Sequence, residues 1–415
     1  MKNFEIPPAA EHILRFLAAA GYEAYLVGGC VRDLLRGAAP HDWDICTSAR
    51  PEETAACFPR CRVLETGLRH GTVTVLTDGT ACEVTTFRAE GPYSDGRRPD
   101  HVRFVDRLEQ DLARRDFTVN AIALGADGVL RDPFGGADDI RAGLLRCVGE
   151  PARRFQEDGL RLMRALRFSS VLGYDIEERT ARAIHDCRAM LDRVAAERVR
   201  DELCALLTGQ NAAGVLRRYP DVLRRFWPEP LDGAALDALE AAPADAAIRL
   251  ALLPGDAEAA ERLLRGLKFD NDTRKRTLAL VARRDGPPPR DSKGVRRYLS
   301  SLGPETFFQL VEVWWAYLPG RAPEHTAARL AELDWVRAEA ERIMAEGPCL
   351  TLRDLAVSGR DVIAAGVAPG PAVGRLLDRL LERVLDGELP NRRDILLEQL
   401  RPRLSDAPES GGPAF

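Results

Sequence analysis

Length, composition and charge limit what kind of protein this chain can be. It has 415 residues, of which 45% are hydrophobic and 30% charged, and its formal net charge is −5. The length exceeds one compact core and predicts roughly two to four domains, and the composition excludes a disordered chain. No apolar run approaches the roughly 18 residues of a membrane helix, so we expect no membrane partner.

The basic residues indicate which binding partners are possible, and the cysteines indicate the cellular compartment. The net negative charge by itself argues against nucleic acid, but all except four of the 59 basic residues are arginine, dense between Arg141 and Arg225. Arginine binds phosphates and base edges through paired hydrogen bonds, so this stripe is compatible with one local RNA contact. The nine cysteines are irregularly spaced, which predicts reduced thiols in a cytoplasmic protein.

The predicted elements change in type once along the chain. A head ending near Gly149 mixes strand and helix patterns, and amphipathic helices follow, with stops at Gly173 and Gly209. Residues 284–290, rich in proline, predict a linker or exposed turn. In the head, strands are predicted at 22–27, 62–64, 72–76, 82–87 and 102–104, and helices at 11–20, 51–57 and 109–123. Later helices are predicted at 153–172, 177–191, 195–207 and 213–225, with more to residue 400.

The most informative motif lies between residues 28 and 44. Gly28 and Gly29 follow an apolar strand pattern, so the backbone there can approach a triphosphate closely, with Arg32 beside the phosphates. Asp42 and Asp44 are two residues apart in a strand pattern, which projects both carboxylates from one face. Paired carboxylate oxygens suit Mg²⁺.

A third carboxylate, Glu83, stands between apolar residues in a later strand pattern and predicts another metal ligand. Each feature alone is common, because Gly-Gly turns and solvated Asp-x-Asp pairs occur in many proteins. Together they resemble the nucleotidyltransferase superfamily that includes DNA polymerase beta. The Gly-Gly-x-Val-Arg-Asp sequence of residues 28–33 is similar to that of class II tRNA nucleotidyltransferases and bacterial poly(A) polymerases.

This resemblance implies an α+β fold. A polymerase-beta-like nucleotidyltransferase head with a small mixed sheet is followed by an all-α neck, body and tail. We predict the head at residues 1–149, a neck with a nucleobase-reading helix at 150–226, a helical body at 227–290, a tRNA-binding body and tail at 291–404, and a disordered tail at 405–415.

The second motif is residues 114–120, RRDFTVN, which we place at a helix start. Taken alone, this sequence is equally consistent with a helix N-cap that carries surface charge and with a site that contacts phosphate and ribose. It resembles the ribose-recognising motif of the family. The resemblance implies that Arg115 contacts the triphosphate and that Asp116 orders the site or accepts a hydrogen bond from the sugar hydroxyl.

The third motif, residues 157–168, predicts a helix with one apolar face and one arginine-rich face. Such charged faces are usually solvated and joined by ion pairs. Alternatively, Asp158 accepts and Arg161 donates, which matches a base edge with an amino group beside a ring nitrogen, as in cytosine and adenine but not uracil or guanine. The motif resembles the Glu-Asp-x-x-Arg element of the family, which implies this role and nucleotide contacts for Arg164 and Arg167.

Near the C-terminus, residues 354–377 resemble the tail domain of firmicute-type CCA-adding enzymes. A glycine-rich turn that leads into a helix suits an RNA phosphate. Gly370, Gly374 and Arg375 are therefore predicted RNA contacts.

The resemblance as a whole implies template-independent addition of C, C and A to the tRNA 3′ end from CTP and ATP. Two Mg²⁺ ions would be held by Asp42 and Asp44, with Glu83 as a further catalytic carboxylate. An A-adding enzyme or poly(A) polymerase would share this fold, although the long arginine-rich extensions of the latter are not seen. A catalytically inactive RNA-binding protein is the alternative from another class, and the intact carboxylates and arginine motifs argue against it.

Overall fold

The computed structural model describes residues 4–68, 71–91, 102–227, 229–321 and 326–400. The predicted disordered tail, 405–415, lies outside these ranges. Two compact units divide the described chain. The first comprises residues 4–232, 244–246 and 261–270, and the second comprises 233–243, 247–260 and 271–400. The predicted head and neck thus belong to one unit, and the finer domain boundaries stay predictions.

A seven-stranded mixed sheet forms the framework of the first unit. The strands are β1 (Ala24–Val27), β2 (Asp44–Thr47), β3 (Arg62–Gly67), β4 (Thr72–Thr77), β5 (Thr80–Thr86), β6 (Arg88–Glu90), β7 (Val102–Phe104), β8 (Ala123–Gly125), β9 (Leu130–Arg131), β10 (Leu144–Leu145) and β11 (Asp175–Ile176). Their order in the large sheet is β3-β4-β5-β2-β1-β8-β9. Strands β2 and β5 are parallel neighbours, and the other pairs of this sheet are antiparallel.

Helices surround this sheet and continue from it. They are α1 (Pro8–Ala19), α2 (Gly29–Arg36), α3 (Pro51–Cys57), α4 (Leu108–Ala113), α5 (Gly136–Ala142), α6 (Pro151–Glu157), α7 (Leu160–Leu172), α8 (Glu178–Cys187), α9 (Ala196–Leu207), α10 (Ala212–Arg218) and α11 (Pro220–Leu223). The α+β class, with a small mixed sheet followed by helices, is confirmed. Apolar alternation produces the sheet core, since Val73 and Val75 of β4 are buried while Thr72 and Thr74, which alternate with them, are partly exposed.

The second unit is helical, and its described residues include two apolar clusters. The remaining helices of the chain are α12 (Gly233–Ala241), α13 (Ala246–Leu252), α14 (Ala257–Gly266), α15 (Asn271–Arg284), α16 (Ser292–Leu302), α17 (Pro304–Arg321), α18 (Thr326–Ala345), α19 (Gly359–Ala364), α20 (Pro371–Leu385) and α21 (Arg393–Glu398). The larger cluster surrounds the buried Trp314, and the smaller one includes Val362 and Leu396. Among the described residues, no helix is long and apolar enough to cross a membrane.

One predicted helix, residues 109–123, is wrong beyond Ala113. Helix α4 ends there, a short 3-10 turn covers Thr118–Asn120, and β8 begins at Ala123. Tertiary pairing overrides the helical pattern, because Phe117 is extended and forms a β-bridge with Cys147. The buried Phe117 ring is anchored by this pairing, and the second motif consequently lies after a helix rather than at the start of one.

The cysteines are free thiols throughout. Six of them are buried and three are partly exposed. Three of the buried thiols lie in helix α2 and in strands β2 and β5, namely Cys30, Cys46 and Cys82, and burial raises the pKa of each. They are consequently protonated and unreactive in the folded protein near neutral pH.

Candidate active site

The glycine turn after β1 brings the backbone close to two charged side chains. Gly28 has a φ of +83°, a conformation that favours glycine, and α2 begins at the next residue. A Cβ at Gly28 would lie 3.1 Å from Nη1 of Arg115 and 3.6 Å from Oδ2 of Asp44. The missing side chain at Gly28 therefore lets the guanidinium of Arg115 and the carboxylate of Asp44 lie close to the backbone of this turn.

Three carboxylates lie near one another at the start of β2, those of Asp42, Asp44 and Glu83. Asp44 begins β2 and pairs in register with Glu83 of β5, which places both side chains on one face of the sheet. Asp42 lies in the bend before β2 rather than inside the strand. Burial raises the pKa of Asp44, and repulsion by Glu83 and Asp42 raises it further against the attraction of Arg115.

This acidic group fits Mg²⁺ in combination with a substrate. Within the described ranges, no three Asp, Glu, His or Cys side chains are arranged to hold a metal by themselves. Mg²⁺ is usually bound by one or two carboxylates together with substrate phosphates, and the pair Asp42 and Asp44 matches that number of protein ligands. Cations would also relieve the repulsion that raises the pKa of Asp44.

Arg115 supplies positive charge next to these carboxylates. Its Nη2 lies 3.4 Å from Oδ2 of the buried Asp111, and Asp111 also accepts a hydrogen bond from Nε of Arg114 at 2.9 Å. The Nε of Arg115 is buried and has no hydrogen-bond partner among the described residues. An unsatisfied buried donor is costly, and an anionic phosphate oxygen would satisfy it.

A hydrogen-bond network joins the other predicted phosphate and ribose residues. Arg32 donates to Oδ1 of Asn120 at 2.8 Å, and Asn120 donates to Asp116 at 3.3 Å. Arg164 donates twice to Oδ2 of Asp116, at 2.6 and 2.8 Å. Burial alone would raise the pKa of Asp116, but Arg164 and Arg161 together with the hydrogen bonds outweigh it and lower the pKa to about 2. Asp116 is therefore an ionised acceptor at neutral pH.

Three arginine guanidinium groups contact the aromatic ring of Phe168. The guanidinium carbons of Arg32 and Arg164 each lie 5.3 Å from the ring centroid, and that of Arg167 lies at 3.9 Å. Arg167 also pairs with Glu202 of α9. The ring thus orients cations from α2 and α7 through cation–π contacts.

The predicted nucleobase-reading motif spans a break between two helices. A single helix over 153–172 is wrong, because α6 ends at Glu157 and α7 begins at Leu160. A Cβ at Gly159 would lie 2.6 Å from the carbonyl oxygen of Met190, so only glycine fits there. The arginine-rich face is also not a solvated one, since Arg161 is only 9% exposed.

Asp158 and Arg161 are held by different partners. Arg198 of α9 donates to Oδ2 of Asp158 at 3.1 Å. Arg161 donates to Oε2 of Glu157 at 2.6 Å and, through Nη2, to the carbonyl oxygen of Arg114 at 3.3 Å. The latter bond ties the reading motif to the residue before Arg115.

The predicted RNA-contacting residues lie in the second unit. Gly370 precedes α20 with a φ of +147°, and Gly374 and Arg375 lie in the first turns of that helix. All three are exposed. Backbone N–H groups at the start of this helix and the arginine can together meet a phosphate.

The sequence did not indicate some supporting residues of the site. Asn120 lies inside the second motif, but its role as a bridge depends on the unexpected turn at Thr118–Asn120. Arg198 and Glu202 lie four residues apart on α9, a spacing that places them on one helix face. The spacing is the one feature of the sequence that links Arg198 and Glu202. It does not reveal their partners Asp158 and Arg167, which lie about 40 positions earlier in the chain.

Fold and site together define a class of protein, the nucleotidyltransferases with a polymerase-beta-like head. Family models match in the same order along the chain: "Poly A polymerase head domain" at residues 24–146, "Probable RNA and SrmB- binding site of polymerase A" at 173–219 and "tRNA nucleotidyltransferase domain 2 putative" at 245–400. The chain belongs to the CCA-adding enzyme family of tRNA nucleotidyltransferases. The family predicted from the motifs is confirmed.

Relatives and solved structures show the extent of this similarity. The chain is 36% identical over 413 residues to the CCA-adding enzyme of Lactobacillus delbrueckii subsp. bulgaricus, with 95% of this chain and 98% of that protein covered. It is 48% identical over 234 residues to that of Leuconostoc mesenteroides, a match that spans 55% of this chain and 58% of the relative. The crystal structure of the Bacillus stearothermophilus CCA-adding enzyme in complex with CTP matches with a TM-score of 0.78 at 35% identity, covering 95% of this chain and 97% of that one.

Proposed function

We propose that this protein adds C, C and A to the 3′ end of tRNA, using CTP and ATP and releasing pyrophosphate, without a nucleic-acid template. The observation that carries the proposal is the position of the base-reading motif beside the triphosphate motif, because Arg161 donates to the carbonyl of Arg114. The CCA-adding enzymes among its relatives, one of them crystallised with CTP, support the same activity.

Asp42 and Asp44 would hold two Mg²⁺ ions, with Glu83 as a further carboxylate beside them. When bound, the ions favour deprotonation of the tRNA 3′-hydroxyl and neutralise charge on the triphosphate. The 3′-oxygen, whose proton would pass to solvent, would attack the α-phosphorus in line. A bond forms between them as the bond to pyrophosphate breaks.

The other residues of the site bind and orient the nucleotide. The backbone at Gly28 and Gly29 and the guanidinium groups of Arg32 and Arg115 would hold the triphosphate. Asp116, ionised and fixed by Arg164, would accept a hydrogen bond from the sugar hydroxyl. Holding the phosphates and ribose in one geometry lowers the entropic part of the barrier.

Base choice would depend on one acceptor and one donor. The Asp158 carboxylate accepts from the amino group of cytosine or adenine, and Arg161 donates to the adjacent ring nitrogen. Uracil and guanine would leave both side chains facing groups of the same kind, which costs about 1–3 kcal/mol per unsatisfied buried group. The site would thus reject UTP and GTP, while Arg164 and Arg167 hold the surrounding network together.

The tRNA would be bound through its phosphates, with contacts to Gly370, Gly374 and Arg375 at the start of α20. We place the reaction in the cytoplasm, where the buried free thiols of the first unit stay reduced.

A nucleotide-addition assay tests the proposal. Purified protein is incubated with tRNAs that end before the first C, before the second C and before A, each with CTP and ATP separately and with Mg²⁺. The proposal expects C to be added to the first two substrates and A to the third. Addition of A alone would identify an A-adding enzyme or poly(A) polymerase, and no addition would favour an RNA-binding protein without activity.

A further inference from the structure

The carboxylate of Asp158 is fixed at both oxygens. Nη2 of Arg198 lies 3.1 Å from Oδ2, and Nη1 of the same arginine lies 3.5 Å from Oδ1. The backbone N–H of Leu160 donates to Oδ1 at 3.0 Å. The Asp158 side chain is 14% exposed and that of Arg198 is 28% exposed, so solvent screens this ion pair only in part.

Arg161 is fixed from the opposite direction. It bonds to Glu157 of α6 and to the backbone carbonyl oxygens of Arg154 and Arg114, at 2.6, 3.2 and 3.3 Å respectively. The acceptor and the donor of the base-reading pair are therefore attached to different elements, Asp158 to α9 and Arg161 to α6 and the segment after α4.

This separation matters because Asp158 and Arg161 are three residues apart and of opposite charge. Opposite charges this close in the chain attract each other and can form an ion pair when their side chains point together. A mutual pair would use the acceptor and the donors that a base edge requires. A carboxylate has about four lone-pair sites, so Asp158 can accept from Arg198 and Leu160 and still accept from a base.

We propose that Arg198 is a positioning residue for nucleotide selection. It holds the carboxylate of Asp158 toward the incoming base and keeps it from pairing with Arg161. It does so without needing to touch the nucleotide. This inference rests on the proposed function, because it concerns the choice of the base that is added.

The first test compares Arg198→Met and Arg198→Lys with wild type in single-nucleotide addition with CTP, ATP and UTP. For Arg198→Met, kcat/KM for CTP and ATP falls by about tenfold or more, mainly through KM, and UTP addition relative to CTP rises about tenfold. Arg198→Lys gives an intermediate ratio, because an ammonium group keeps the charge but not the paired geometry.

Arg200→Met is the matched control, since Arg200 lies on the same helix but bonds to Asp201 and the carbonyl of Lys268. It leaves the UTP to CTP ratio unchanged. If Arg198→Met lowers the melting temperature too far for assay, Arg198→Lys carries the measurement. An unchanged ratio in both Arg198 variants, with wild-type enzyme active, overturns the inference.

A double-mutant comparison separates positioning from general support of the fold. Asp158→Ala alone relaxes selection, and adding Arg198→Met to it changes the ratio no further, because both substitutions remove the same oriented carboxylate. A further change of several-fold in the double variant overturns the inference. A wild-type protein that adds no nucleotide to any tRNA would instead overturn the proposed function on which the inference rests.

Discussion

At the scale of single residues, Asp44 of the proposed metal site lies in an unfavourable electrostatic environment. Burial and two neighbouring carboxylates raise its pKa against the attraction of Arg115. A protein that keeps such repulsion gains from a cation that cancels it. Asp42 and Asp44 should therefore act on the reacting phosphate and not on tRNA docking.

We expect Asp42→Ala and Asp44→Ala each to lower nucleotide addition by at least about a thousandfold, since charge at the reacting phosphate is no longer neutralised. The affinity for tRNA, measured by filter binding, should remain that of wild type. Asp138→Ala, at an exposed position on α5, serves as control and should keep full activity. Addition within about tenfold of wild type for both aspartate variants would remove the proposed metal site.

Substitution of Asp158 and Arg161 tests whether these residues read the base or only form a surface ion pair. Asp158→Ala and Arg161→Ala should each raise the KM for CTP and ATP and relax the exclusion of UTP, because the wrong base edge no longer leaves groups unsatisfied. Glu178→Ala is the control. It breaks an exposed i,i+4 ion pair with Arg182 and should change neither the KM for CTP and ATP nor the exclusion of UTP. Single-nucleotide addition with all four triphosphates measures this, and unchanged selectivity would reduce the motif to a structural support.

Asp116 predicts a pH dependence of stability. Its pKa is lowered from 3.8 to about 2 in the folded protein, so its ionised form stabilises the fold above pH 4, by about 2 kcal/mol. That contribution is lost as the pH falls from about 4 to 2. The difference in free energy of unfolding between wild type and Asp116→Asn, from urea titrations, should shrink over this range. A difference independent of pH would contradict the prediction.

At the scale of elements, the break between α6 and α7 sets the direction of Asp158. The residue has an extended backbone, with φ −139° and ψ 110°, between two helices. Because α6 ends there, the Asp158 carboxylate is directed so that it accepts hydrogen bonds from the N–H of Leu160 and from Arg198. A continuous helix would direct its side chain elsewhere.

Gly159→Ala should consequently lower both stability and activity. The new Cβ would lie 2.6 Å from the backbone oxygen of Met190, which cannot move aside as a side chain could. We expect a loss of about 1–3 kcal/mol in unfolding free energy and reduced addition of both nucleotides. Gly266→Ala, where a Cβ would have open space, is the control. Equal melting temperatures for wild type and Gly159→Ala would show that the close approach is not needed.

Five strands predicted from the sequence match β1, β3, β4, β5 and β7, but the short strands β6 and β8 to β11 were not predicted. The predicted helix 109–123 is wrong beyond α4, and the predicted helices 153–172 and 213–225 are each divided in two, into α6 and α7 and into α10 and α11. Alternation along β4 and β5 depends on neighbouring residues, so it is visible in the chain itself. The end of α4 depends on the bridge between Phe117 and Cys147, which are 30 positions apart. Likewise, the motifs gave Asp158 and Arg161, but Arg198 reaches Asp158 only through the packing of α9 on α7.

At the scale of the whole molecule, tRNA binding should be electrostatic even though the net charge is −5. Each neutralised phosphate releases counterions, so log Kd should rise linearly with log salt concentration. Arg375→Ala should reduce that slope by about 0.7–0.9, whereas Arg265→Ala, at an exposed position paired with Glu261, should not. A chain ending at Gly347 that bound tRNA as tightly as the full chain would contradict the proposed contacts at α20.

The free cysteines give each unit its own chemical reporter. Eight of the nine lie in the first unit, among them the buried Cys30, Cys46 and Cys82, and the buried Cys349 lies in the second. A buried thiol is alkylated only when the structure around it opens, so its labelling rate, read by mass spectrometry, measures the free energy of that opening. The native chain can thus reveal, without an introduced probe, whether its two units open together or one at a time.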